Sequence, residues 1–181
     1  NNKIKLKNSL FFLKEFKSND KIIPIDINQS FIKQRNPILY LYPIEGNLSM
    51  IGLDLLSNNN YASAIWTAQK KFSISATDPF IFHNDSTQQN SIIFFKYIES
   101  SNNSGVIFVT VKLNDFILST LNLKEDKNLK ILFFDLANQN QNLLKTKDDN
   151  TSFDKTKENQ FIKQIDFGNR SYLLQINKLD E

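Results

Sequence analysis

The sequence predicts an α+β fold of two small lobes rather than one parallel sheet. Three observations lead there. β-rich runs alternate with short helical stretches; the pattern occurs twice, with a break near Leu121; and neighbouring runs are joined by turn-type segments, not by the long crossovers that parallel strands need. The expected division is residues 1–115 and 116–181. A chain of 181 residues and 21.0 kDa is long enough to bury a core and too short for a large multidomain enzyme.

Taken in order, Lys3 to Lys17 mixes apolar residues with Lys, and neither a helical nor a strand period dominates. Pro24 and Pro37 punctuate the next stretch, so Asp20 to Arg35 is expected to hold a loop and a short helix. Pro37 to Tyr42, closed by Pro43, reads as a strand. Glu45-Gly46-Asn47 supplies turn chemistry before a second strand at Met50 to Leu56.

The best-supported helix follows. Ser57 and Asn58 to Asn60 offer caps, and Tyr61, Ile65, Ala68 and Phe72 fall on one apolar stripe. Ser73 to Phe82 is extended, but Pro79 cannot donate to a ladder, so this strand is at an edge or broken. Ile92 to Ile98 and Val106 to Leu113 are β-rich and joined by the Ser-, Asn- and Gly-containing loop Glu99 to Gly105. Asn114 can cap a short helix carrying Phe116, Ile117, Leu118 and Leu121. Leu129 to Leu136 then reads as a buried strand. Leu143 to Lys145, Gln160 to Phe167 and Ser171 to Ile176 complete the set, the last two joined by a tight turn at Gly168-Asn169. Lys145 to Gln160 is polar enough for an exposed loop.

Several chemistries lack even a starting motif. There is no Cys, hence no disulfide, thiolate nucleophile or Cys-based metal site. No glycine-rich nucleotide loop, zinc-protease pair or nucleophile elbow occurs, so no catalysis, cofactor or metal is expected. His83, the single His, stands beside Asn84 and Asp85 and reads as a polar connector. Net charge is +3, and all basic residues except Arg35 and Arg170 are Lys, so nucleic acid is not an expected partner. No apolar run is long enough to span a bilayer. Because the chain begins at Asn1, it reads as a piece of a longer protein, with membrane anchors expected outside it. Asp54, an acid inside an apolar run, needs a partner or exposure; a structural role is expected, its carboxylate accepting backbone N–H groups near the helix start.

One stretch carries more. Tyr42-Pro43-Ile44-Glu45-Gly46-Asn47, then Ile51-Gly52-Leu53-Asp54-Leu55-Leu56-Ser57, then a helix ending in Lys70-Lys71, then Ala76-Thr77-Asp78-Pro79-Phe80 resembles the core signature of CHASE domains. The likeness continues through Gly105 to Phe116, and Ile131 to Asp135 and Phe167 to Tyr172 are similar to the family's C-terminal half. The resemblance implies an extracytoplasmic, in bacteria periplasmic, sensor of a transmembrane histidine kinase or cyclase. It also implies two PAS-like lobes with antiparallel sheets, membrane-distal and membrane-proximal, and a long N-terminal stalk helix that is largely absent here. A small-molecule ligand and a homodimeric receptor are implied partners.

Carried over position by position, the resemblance points to a ligand pocket lined by Leu55, Tyr61, Ile65, Thr77, Phe80, His83, Phe94 and Phe108, between the distal sheet and its helix. Glu45, Gly46, Asn47, Asp54 and Pro79 are the expected structural motif. The plant cytokinin-receptor branch has an acid where Tyr61 stands and smaller residues at Phe94 and Phe108. A smaller or more apolar ligand than an adenine derivative is therefore expected. Two readings follow: a ligand-binding sensor, or a non-catalytic interaction or dimerisation module whose pocket is filled by its own aromatics.

Overall fold

The computed structural model describes residues 5–6, 9–10, 14–16, 22–24, 34–82, 87–101, 103–120, 129–137, 141–144 and 160–178. Two short ladders come first: β1 (Lys5–Leu6) with β2 (Ser9–Leu10), and β3 (Lys14–Phe16) with β4 (Ile22–Pro24), both antiparallel. Residues 22–24 are thus a strand within a segment expected to be loop and helix.

The two strands expected around Pro37 to Leu56 are not formed. Pro37 and Asp54 make an isolated bridge, Ile38 exchanges backbone hydrogen bonds with Gly52 and Leu53, and 3-10 turns occupy Leu48–Met50 and Leu55–Ser57. The reason is local: Gly46 and Gly52 both take left-handed φ (+76° and +83°), and the chain turns too tightly for a ladder.

Helix α1 (Asn59–Lys71) starts at Asn58, whose side-chain oxygen accepts from the N–H groups of Asn60 (3.0 Å) and Tyr61 (3.2 Å). Lys70 and Lys71 sit favourably at its C-terminal end. Tyr61, Ile65 and Ala68 face the core, but Phe72 does not continue the stripe; it is the left-handed cap residue and two-thirds exposed.

The first sheet has β7 (Asn90–Glu99) at its centre and β8 (Ser104–Lys112) along one edge. Along the other edge lie β5 (Ile74–Ala76) and β6 (Phe80–Ile81), one strand interrupted at Pro79. Thr77 patches the gap: its N–H donates to Ile93 O and its hydroxyl accepts from Ile93 N (3.0 Å).

Helix α2 (Leu113–Thr120) begins directly from β8, one residue before the expected cap at Asn114. The second sheet runs β10-β9-β12-β11, with β9 (Leu129–Asp135), β10 (Gln141–Asn142), β11 (Gln160–Phe167) and β12 (Arg170–Lys178), all antiparallel. Strand β10 lies just before the expected Leu143 to Lys145; Leu143 and Leu144 are buried core beyond its end, and Lys145 lies outside the described residues. The polar stretch 145–159 is also outside them.

Period-two alternation decides what each sheet face meets. On β7, Ile93, Phe95 and Tyr97 pack with α1 in one apolar cluster that includes Leu53, Leu55, Tyr61 and Ile65. Ile92 and Phe94 point the other way, into a second cluster with Leu113 and Ile117 of α2 and with Ile131, Phe133 and Tyr172 of the second sheet. The two sheets therefore share one core.

Candidate functional site

The expected site residues divide between the two faces of the first sheet. Leu55, Tyr61 and Ile65 are at most 5% exposed and lie in the α1 core. Phe80 and Phe108 pack on that cluster half-buried, with ring centroids 5.7 Å from Tyr61 and 5.9 Å from Phe95 respectively. Thr77 is buried and committed to the strand patch. His83 lies outside the described residues. Phe94 is on the opposite face, 5.1 Å from Phe167 between centroids; strand register puts it back to back with Phe95, so it cannot share a pocket wall with Tyr61.

The expected structural motif sits at the entry to this core. Gly46 makes the turn, Glu45 is exposed beside it, and the Asn47 amide donates to Pro43 O at 3.1 Å. Tyr42-Pro43 is a cis peptide. Asp54 is fully buried, and one carboxylate oxygen accepts from Asn36 N (2.9 Å) and Leu56 N (3.1 Å) while the other meets the Arg35 guanidinium at 3.3 Å. Two backbone donors and a cation supply what a buried carboxylate needs. Pro79 occupies the break between β5 and β6.

Between α1 and the sheet these side chains pack in one apolar cluster. A cavity of about 530 Å³ opens on the other face, between the two sheets. Phe94, Ile107 and Val109 line it from the first sheet, Phe116 from α2, and Ile165 and Phe167 from the second. Tyr172 and Phe133, stacked with centroids 5.2 Å apart, form its inner wall. Of the expected ligand-contacting residues, Phe94 and Phe108 border it. Lys96 is the one charged residue on its lining among the described residues. The walls suit an apolar molecule.

Ile107, Val109, Ile165 and Phe167 were not among the expected site residues. Their signal is visible in hindsight: β8 is apolar at Ile107, Val109 and Val111 and also at Val106 and Phe108, so both of its faces call for an apolar neighbour.

The polar counterpart lies at the rim where the sheets meet. Arg170, on β12, pairs with Asp78 of the first sheet's connector at 2.5 Å and with the fully buried Asp135 of β9. The Ala76 N–H donates to Gly168 O at 2.8 Å, and the Asn169 amide donates to Ile74 O at 2.7 Å and Ser73 Oγ at 2.9 Å. The Tyr172 hydroxyl, beside this cluster, has its pKa pushed up to about 12; burial is the main cause, the Arg170 guanidinium opposes it and the Asp135 carboxylate adds to it.

Among the described residues no group of acids and His could hold a metal ion, and no helix is long and apolar enough to cross a membrane. No curated protein matches the chain. The family model for the CHASE domain matches residues 13–144, which takes in α1, the whole first sheet, α2 and strands β9 and β10. The chain therefore belongs to the CHASE domain family, the extracytoplasmic, non-catalytic sensor domains of membrane signalling receptors.

Proposed function

We propose that this chain senses a small apolar molecule held between its two sheets, and that occupancy is relayed across the membrane by a change in how the sheets sit against each other. The observation that carries this reading is the cavity of about 530 Å³ whose walls come from both sheets and α2. A ligand there touches both halves at once, so its binding free energy depends on their spacing, and it favours whichever arrangement it fits best. In this reading each sheet with its helix is a PAS-like lobe, residues 1–115 distal and 116–181 proximal. The receptor is a periplasmic-facing homodimer anchored through segments outside this chain, with a histidine kinase or nucleotide cyclase as output. Phe94 contacts the ligand, and Phe108 borders the cavity from β8 while its ring packs toward α1. Leu55, Tyr61, Ile65, Thr77 and Phe80 back the sheet that presents them.

A second reading has its own observation. Ile107, Val109 and Phe161 are each more than half exposed, which would suit an interaction or dimerisation module. Val109→Trp separates the two, because an indole at that exposed position fills the cavity without touching the α1 core. Apolar compounds that raise the melting temperature of the wild type should lose that effect in the variant, by about tenfold or more in Kd. An undiminished shift would place the ligand elsewhere. The absence of any shift, with self-association of the wild type in light scattering, would favour the interaction module.

A further inference from the structure

Among the described residues that line the apolar cavity, three carry polar side-chain atoms: Lys96, Thr120 and Tyr172. Two are already bonded. The Lys96 ammonium donates to Phe72 O at 2.8 Å, and the Thr120 hydroxyl donates to Phe116 O at 2.7 Å. Tyr172 differs. It is only 3% exposed, and its hydroxyl makes no hydrogen bond among the described residues. A buried hydroxyl without a partner is uncommon in a folded protein, and it carries a free-energy cost that a guest can remove.

Strand register explains why the protein supplies no acceptor. Tyr172 stands in the ladder between Asp135 of β9 and Ile165 of β11, so a polar group flanks it on one side and the cavity wall on the other. The Asp135 carboxylate is committed: one oxygen pairs with Arg170 and the other accepts from the Ala137 N–H at 3.0 Å. Asp78 is paired with Arg170 as well. The Arg170 guanidinium only donates, so it cannot take the phenol's proton. Because the phenol keeps that proton to about pH 12, it is a donor throughout the neutral range.

The surroundings also select the acceptor. Two carboxylates face one guanidinium beside the hydroxyl, so an anionic head group would meet net negative charge there and lose its water as well. An amine or amide would bring N–H groups that apolar walls cannot receive. A carbonyl oxygen accepts the one bond on offer and brings no proton that needs a partner. The remaining walls require a hydrocarbon body.

We propose that the guest of the apolar cavity is a neutral carbonyl compound, a ketone or ester with an apolar body, whose oxygen accepts a hydrogen bond from the Tyr172 hydroxyl. This rests on the reading of that cavity as the ligand site and names the chemical class the site takes.

Three probes share a phenyl ring on a short chain and differ in the head group. Benzylacetone carries a ketone, butylbenzene no polar atom, and hydrocinnamate a carboxylate. On the 181-residue chain, benzylacetone should raise the melting temperature saturably and give a measurable Kd by calorimetry. Tyr172→Phe keeps the ring and removes the hydroxyl. It should weaken the Kd of benzylacetone about fivefold, as expected for one lost hydrogen bond, and leave that of butylbenzene unchanged. The retained butylbenzene affinity establishes that the variant folds with its cavity intact. In infrared spectra the carbonyl stretch of bound benzylacetone should lie lower in the wild type than in Tyr172→Phe, a signature of the hydrogen bond that a purely structural role would not produce. An equal benzylacetone Kd in the two proteins, with binding still lost in Val109→Trp, would overturn the carbonyl assignment and leave the cavity as the ligand site. Hydrocinnamate bound more tightly than benzylacetone would place the head group at Lys96 and overturn it too. No binding of any probe would overturn the assignment and the reading of the cavity together.

Discussion

Tyr172 works in two environments at once. Its ring stacks on Phe133 as part of the apolar wall, while its hydroxyl lies beside Arg170 and Asp135 and has its pKa pushed from 10.0 to about 12. Folding therefore favours the protonated phenol. In the unfolded chain this phenol ionises near pH 10; in the folded chain it holds its proton to about pH 12. The unfolded state then binds fewer protons, and stability falls with rising pH across that window. Below pH 10 the contribution is complete. Between pH 10 and 12 the wild type should lose at most about 2 kcal/mol more than Tyr172→Phe, as read from urea unfolding at a series of pH values. Parallel curves for the two proteins would show that the phenol does not titrate differently on folding.

The β11–β12 hairpin shows what one element contributes beyond its own strands. Gly168 and Asn169 both have left-handed φ (+64° and +58°), the pair a two-residue hairpin turn needs to match the twist of its strands. Gly168 is also a contact point between sheets. A Cβ there would lie 3.0 Å from Ala76 Cβ and 3.0 Å from two ring carbons of Phe94. Gly168→Ala combines a left-handed alanine with tight contacts against the Ala76 methyl and the Phe94 ring, and should cost about 2–3 kcal/mol in denaturant unfolding. A change below about 0.5 kcal/mol would mean that the turn does not press on the first sheet. Asn169 tolerates its φ because it is an asparagine, and its amide is already committed to Ser73 and Ile74.

For the whole molecule, the question is what makes two sheets one unit. Apolar packing between them is continuous from Ala76 and Ile92 to Phe133 and Tyr172. The hairpin adds a polar fastening, and Arg170 is its centre. Arg170→Met would leave the buried Asp135 carboxylate without its cation and should destabilise the protein by about 3–5 kcal/mol. Asp135→Asn added to that variant removes the stranded charge, so the double variant should be more stable than Arg170→Met alone. If both unfold at the same denaturant concentration, the ion pair is not what is being lost.

The strands of the second sheet and the β7–β8 hairpin were legible because alternation and turn residues coincide: Gly168-Asn169 and Glu99 to Gly105 fall between apolar runs of strand length. Helix α1 was legible from its cap and stripe. Pro37 to Leu56 was misread as two strands because apolar and aromatic content resembles strand content, while the left-handed glycines that forbid a ladder become decisive only in three dimensions. The expected pocket shows the same limit. Periodicity correctly joins Tyr61, Ile65 and Leu55 in one layer, but it does not say whether that layer is hollow.

The sequence by itself determined helix α1 and the strands of the β7–β8 and β11–β12 hairpins, the family signature around Tyr42 to Phe80, and the need for Asp54 to find partners, because each rests on residues close together in the chain. Only the tertiary structure decided which face of β7 is hollow and that Arg170 reaches Asp78 and Asp135. Those outcomes depend on packing between strands and on contacts between residues 92 and 35 positions apart in the chain, and side-chain periodicity within one strand carries no information about the distance to the next layer.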